Sequence, residues 1–347
     1  MYLKVLIVGV SKVGGGSERV TAYKNFLLSK NHIVHLIQFP GESYSERLWD
    51  NYRRVFARLK GHEKRYMTQI ADKLETKIKK EAYDVVIGVE SPWSYVLTRE
   101  LRCLKIFSCE SMETDELYFS NKTVDMDRVR CLKEMEVEIM KKSDCVVFPW
   151  GTTENYVRRY VWNGNNFVTL KYGCYPKNKL VSYFFPFSVV SLGDLWGHWT
   201  NKELLSQLTR MSPYNIDVYG RYRPPKRYHL NYRGFAPTTD VLYNYQFGLN
   251  TVTKDPFRRS HFSSRPLDYL AYGLPVLSPD WMQLSHELRG CVPYTEDNFV
   301  DLIDKYSEKD NWEKLSKDAI DQARELDWKK TLEPLDGIIN ESKRVWQ

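Results

Sequence analysis

Short apolar runs recur along this chain, separated by helix-compatible text, and that rhythm limits the fold more than any other feature of it. "LKVLIVGV" (3–10), "HIVHLIQF" (32–39), "YDVVIGVE" (83–90), "LKIFSCE" (104–110) and "SDCVVFP" (143–149) read as strands. The first is apolar without a break, as a strand covered on both faces is, and such strands belong to parallel sheets. Helices between them imply right-handed βαβ units and a doubly wound α/β sheet. The rhythm then restarts with "SVVSLGDL" (188–195), a helix around 201–211, "NIDVYG" (215–220), shorter strands at "LNYRGF" and "FGLNTV", a short helix and "PVLSP". Two halves that each open with a strand and a glycine turn predict two Rossmann-like domains, at 1–180 and 181–325, joined near residues 171–187. Segment 326–347 is expected as a long polar helix that packs back on the first domain. Open α/β sheets bind ligands at the carboxyl ends of their strands, so two facing sheets place the site in a cleft.

Size and charge fit this scheme. A chain of 347 residues exceeds the usual single core. Its net charge of +7 suits an anionic small ligand, a phospholipid surface or nucleic acid. The basic residues are scattered without an RNA-binding signature, so no nucleic-acid partner is expected. The six cysteines show no CxxC spacing and read as buried thiols in a reducing compartment. No run of about 18 apolar residues exists to span a bilayer, and the N-terminus is too short for a signal peptide. A cytoplasmic protein is expected. One segment, 45–80, adds a further option: Leu48, Trp49, Tyr52, Val55, Phe56 and Leu59 share a helix face edged by Arg47, Arg53, Arg54 and Arg58. Such a helix either lies on an anionic membrane surface or packs on the first sheet with its basic side in water.

The chemistry concentrates in "SSRPLDYLAYGLPVLSPD" (263–280). Ser263 or Ser264 is a natural N-cap, Pro266 suits a first helical turn and Gly273 a helical stop. The helix would begin beside Arg265, whose guanidinium and the free N–H groups make an anion site. Asp268, one turn on, could accept from a vicinal diol such as a ribose. A nucleotide diphosphate satisfies both; otherwise Asp268 complements the helix dipole and Arg265 is solvated. Arg258 and Arg259, in "DPFRRSHF", either face the phosphates or an anionic sugar or are surface charges. Tyr219 and Gly220 end a strand and would border the base. His261 and His198 lack metal-type partners and read as ordinary polar contacts.

The stretch S-S-R-P-L-D-Y-L-A-Y-G-L-P-V resembles the pattern S-x-K-x-x-E-Y-x-A-x-G-x-P-V of GT-B glycosyltransferases, of the group 1 (GT4-like) type, with Arg265 at the lysine and Asp268 at the glutamate. "VVSLGDL", "IDVYG", "YRGF" and "ELDWKKTLEPL" resemble further segments of that family. Ser260 stands where many relatives carry a second acid, and "GDLWGH" replaces a common basic residue. A weaker likeness points to bacterial exopolysaccharide glucuronosyltransferases.

The resemblance implies a GT-B fold of two Rossmann-like domains facing across a cleft, with Arg265 near the donor phosphates and Asp268 on the ribose. It implies transfer of a sugar from a UDP- or GDP-linked donor to a glycan or lipid-linked acceptor. The alternatives are a nucleotide-sugar-binding protein or a GT-B-like epimerase. "GVSKVGGGSER" lacks both GxGxxG and the P-loop pattern; in the family a glycine-rich loop here approaches the donor or acceptor, a use open to Gly14, Gly15 and Gly16. A base for the acceptor hydroxyl belongs at a strand end of the first domain, where Glu90, Glu110, Glu113 and Asp115 stand and Glu110 is favoured. With no DxD-type acid cluster at a strand end, neither a metal nor another cofactor is expected.

Overall fold

The apolar runs become the strands of two parallel sheets. In the computed structural model, which describes residues 2–10, 15–39, 62–120, 124–193, 195 and 199–346, the first sheet comprises β1 (Lys4–Val10), β2 (Ile33–Phe39), β3 (Val85–Val89), β4 (Leu104–Ser108), β5 (Cys145–Phe148) and β6 (Phe167–Thr169). Their order is β2-β1-β3-β4-β5-β6, with every described pairing parallel. Residues 5–8 and all of β3 are buried, as expected for strands covered on both faces. Helices α1 (Gly15–Ser29), α2 (Glu63–Glu81), α3 (Glu113–Ser120), α4 (Met126–Lys142) and α5 (Gly151–Tyr160) lie between or flank these strands in the chain. Asp125 starts α4 by accepting from the amides of Asp127 and Arg128.

The second sheet comprises β7 (Ser188–Leu192), β8 (Asn215–Tyr219), β9 (Asn231–Gly234), β10 (Phe247–Leu249), β11 (Val276–Pro279) and β12 (Cys291–Tyr294). It runs β12-β11-β10-β7-β8-β9, again all parallel. Numbered from its own first strand this is the Rossmann order 3-2-1-4-5-6. Its helices include α6 (Lys202–Met211), α7 (Pro256–Ser260), α8 (Arg265–Leu270), α9 (Phe299–Ser307) and α10 (Lys309–Glu325).

Contacts divide the chain into Met1–Tyr172 with Thr331–Gln347, and Gly173–Lys330. Within the second unit the stretch after residue 172 is packed down by backbone bonds: Lys177 N donates to Ala271 O and Val181 N to Tyr272 O. The C-terminal helix groups with the first unit, as expected, but starts later than residue 326 and is not polar throughout. α10 stops at Glu325, and α11 (Glu333–Trp346) is amphipathic, burying Leu335 and Ile339 while Glu333 pairs with Lys30 of α1. Sequence reading also missed β6 and β12, of three and four residues. Residues 40–61, with the whole of the proposed interfacial helix face, lie outside the described residues, as do Gly14 and His198. Among the described residues no helix is long and apolar enough to cross a membrane. All six cysteines are free thiols, four of them buried.

Candidate functional site

In the second sheet the chain runs outward from β7 to β8 and β9, then returns to β10 on the other side of β7. A ligand crevice therefore opens outside the carboxyl ends of β7 and β10. Tyr269 of α8 fills its base. The side chain is fully buried; its hydroxyl accepts from Leu192 N at 2.8 Å and donates to Leu249 O at 3.3 Å, joining the ends of the two strands. Burial pushes that hydroxyl up to about 12, so it stays protonated. Gly248 is required beneath it, because a Cβ there would run into the ring.

Arg265 stands over the end of β7. A Cβ at Gly193 would fall 2.5 Å from its Nη2, and Gly193 holds a φ of 135°, open to glycine and unfavourable for other residues. The same Nη2 donates to Thr200 Oγ1 at 3.2 Å. One at Gly220, after β8, would fall 2.5 Å from the Gly193 carbonyl oxygen. The two strand ends thus meet as bare backbone with a guanidinium beside them. Tyr219 is half-buried, its hydroxyl 3.1 Å from that of Tyr245, which donates to Asp217 at 2.8 Å.

The expected serine cap does not form. Ser264 holds the N-cap place, but its φ of −73° and ψ of −24° are already helical, and its side chain caps nothing; Ser263 is half-buried beside it. The C-terminal stop does form: Gly273 has a φ of 69°, its N–H donates to Leu270 O, and Leu274 N donates to Tyr269 O, a Schellman pattern. α8 has only six residues, so its summed peptide dipole is small and the positive charge here resides in Arg265. Asp268 lies one turn in, half-buried, with its N–H on Ser264 O.

The arginine pair divides. Arg259 is exposed, whereas Arg258 is completely buried, pairs with Asp255 through Nη1, and lies 4.6 Å from the centre of the Trp199 ring. Arg258 and Arg265 therefore converge on adjacent residues, Trp199 and Thr200. His261 is no ordinary polar contact: it is buried against the rings of Phe257 and Trp199, at 4.5 and 5.2 Å, and burial with Arg258 beside it lowers its pKa to about 3. The imidazole is neutral.

In the first unit, Glu90 follows β3 next to the switch between β1 and β3, with a φ of 62° that costs a non-glycine residue roughly 1 kcal/mol. Glu110 follows β4 and is 6% exposed. Its Oε1 sits 3.1 Å from Arg19 Nε and accepts from Ser108 Oγ at 2.6 Å, while Oε2 has no hydrogen-bond partner among the described residues. Burial raises its pKa, against the opposing pull of Arg19 and Ser108. Arg19 is itself fully buried, with Nη2 on Leu170 O at 2.9 Å and Nε on Tyr23 at 3.1 Å. Sequence reading missed it, although a cation at position 19 among Val20, Tyr23, Phe26 and Leu27 on the buried face of α1 was the available signal. Gly15 and Gly16 are the first residues of α1, and Glu113 and Asp115 lie in α3.

A further buried acid went unnoticed. Glu136 of α4 accepts from Ser91 Oγ at 2.7 Å and from Thr114 Oγ1 at 2.5 Å, at the wall of a cavity of about 320 Å³, and burial pushes its pKa up to about 8. A folded-state pKa above the unfolded one contributes stability that is complete below the unfolded value and is lost as pH rises through about 8. The slope over that window is about 1.4 kcal/mol per pH unit. Melting temperatures between pH 6 and 9 should therefore fall less steeply for Glu136→Gln than for the parent. Parallel curves would place the carboxylate in a polar setting.

No protein-family model matches the sequence, and neither does any curated protein. Solved structures do match along the whole chain. Sucrose-phosphate synthase from Thermosynechococcus elongatus aligns over 99% of this chain and 100% of its own at 14% identity and a TM-score of 0.77. Anabaena HepE in complex with UDP-glucose aligns over 98% and 100% at 12% identity, with a TM-score of 0.68. A glycosyltransferase from Rickettsia africae ESF-5 aligns over 98% of both chains at 13% identity, with a TM-score of 0.65. These are GT-B structures, and the chain has the GT-B fold.

Proposed function

We propose that this chain is a glycosyltransferase that moves a sugar from a nucleotide-diphosphate donor, UDP- or GDP-linked, to a glycan or lipid-linked acceptor. The supporting observation is Arg265, a guanidinium held at the switch-point crevice of a Rossmann-ordered sheet beside the bare backbone of Gly193 and Gly220. A diphosphate there reaches cation and main chain together, and HepE, of the same fold, was solved with UDP and with UDP-glucose. In this reading Arg265 stabilises the charge that develops on the leaving diphosphate, Asp268 holds the ribose and Tyr219 borders the base. No step draws on a metal or other cofactor. Glu110 is the candidate for taking the acceptor proton, through Oε2, the buried oxygen without a hydrogen-bond partner among the described residues, Arg19 and Ser108 both meeting Oε1.

Release of sugar from a panel of UDP- and GDP-sugars tests the reading, with UDP- and GDP-dependent melting as the binding control. A protein that neither turns over nor is stabilised by any of them is not this enzyme. Asp268→Ala should weaken nucleotide binding by about 1–3 kcal/mol in calorimetric titration; unchanged affinity removes Asp268 from the site. The near-complete burial of Glu110 favours one second reading, a nucleotide-sugar-binding protein without transfer. Stabilisation by nucleotide without turnover would select it.

A further inference from the structure

Arg258 carries more hydrogen-bonding capacity than its surroundings use. A guanidinium stays charged at any ordinary pH and offers five N–H donors in one plane. Here Asp255 occupies Nη1, and the Trp199 indole covers a face of the plane. Nε and Nη2 are buried and have no hydrogen-bond partner among the described residues. Leaving charged donors unmet in the interior is costly, more so than leaving neutral ones unmet. The Nε–Nη2 side is also the planar edge whose two parallel N–H bonds match two oxygens of a carboxylate or phosphate.

The position suits a ligand. α7 follows the carboxyl end of β10, one border of the crevice, and Arg258 reaches Trp199 while Arg265 reaches Thr200 beside it. Asp255 offsets the charge of Arg258, and His261, the other titratable ring packed on Trp199, is neutral. What is left unpaired is a buried planar edge with two donors.

We propose that the Nε–Nη2 edge of Arg258 is an oxyanion receptor for the donor, taking two coplanar oxygens from a carboxylate on the transferred sugar or from the diphosphate. This rests on the reading of the chain as a nucleotide-sugar enzyme. It assigns Arg258 a part in choosing the donor, separate from that of Arg265.

The test is calorimetric titration of the full chain with UDP, UDP-glucose, UDP-glucuronate, inorganic pyrophosphate and free glucuronate. Arg258→Lys keeps a cation for Asp255 and removes the fork. It should lower affinity about tenfold for whichever probe supplies the oxyanion. A loss confined to the two glucuronate probes identifies a sugar carboxylate, and a loss shared by UDP, UDP-glucose and pyrophosphate identifies the diphosphate. Asp255→Asn keeps an acceptor for the N-cap bond to Arg258 N and removes the competing charge. It should tighten the same probe several-fold, which a purely structural Arg258 would not do. Affinities equal to the parent's in both folded variants, for every probe, overturn the proposal even where UDP binds. A parent that binds pyrophosphate or glucuronate through Arg258 but no nucleotide overturns the transferase reading alone. A parent that binds none of the five overturns both.

Discussion

Arg19→Met should destabilise the first unit by about 3–5 kcal/mol, the range expected when one partner of a buried ion pair is removed. The variant strands Glu110, 6% exposed, without its cation, and frees the carbonyls of Leu170 and Lys171 that the guanidinium serves. Burial then raises the Glu110 pKa further than it already does in the parent. The variant should therefore recover part of its loss as pH falls and Glu110 takes up a proton. Adding Glu110→Gln to Arg19→Met removes the stranded charge and should also restore part of the stability. Denaturant midpoints for the parent, both single variants and the double variant measure the coupling. A loss under about 1 kcal/mol for Arg19→Met, or strict additivity, would show that the pair is not energetically linked.

Arg265→Ala should weaken UDP or GDP binding by about 10- to 100-fold, the effect of losing charge-assisted hydrogen bonds to a diphosphate. Thermal stability should change little, since Arg265 is half-buried and its side-chain hydrogen bonding among the described residues is one contact with Thr200. Arg265→Lys keeps the charge without the fork and should fall between the two. Titration calorimetry on the three proteins decides the matter. If alanine binds the nucleotide as well as arginine does, the diphosphate does not occupy this crevice.

Most of the strands could be placed because strands buried on both faces announce themselves as unbroken apolar text. β1 and β3 are of this kind, whereas β6 and β12 are too short, and the proline in "CVPY" further obscures β12. The helix that carries Arg265 and Asp268 was legible because a helix start, a stop at Gly273 and a family pattern coincide. The serine cap was not, because its geometry depends on the backbone angles of Ser264, which sequence does not specify. The burial of Arg19 and of Arg258 was hidden in the sequence for a shared reason. Periodicity treats a cation as solvent-facing, and burial became apparent only once Glu110 and Asp255 were seen beside them. "FRRS" in particular reads as two equivalent charges, yet the fold exposes one and seals the other.

Tyr269 acts as a strut where the second sheet divides. Its ring, seated on Gly248, and its hydroxyl, shared by Leu192 N and Leu249 O, fix how far apart the two strand ends can spread. Tyr269→Phe would keep the ring and release that tether, leaving one amide in search of a partner. Faster hydrogen exchange at Leu192, with the amides inside β7 unchanged, would reveal a crevice whose width is set by a single phenol.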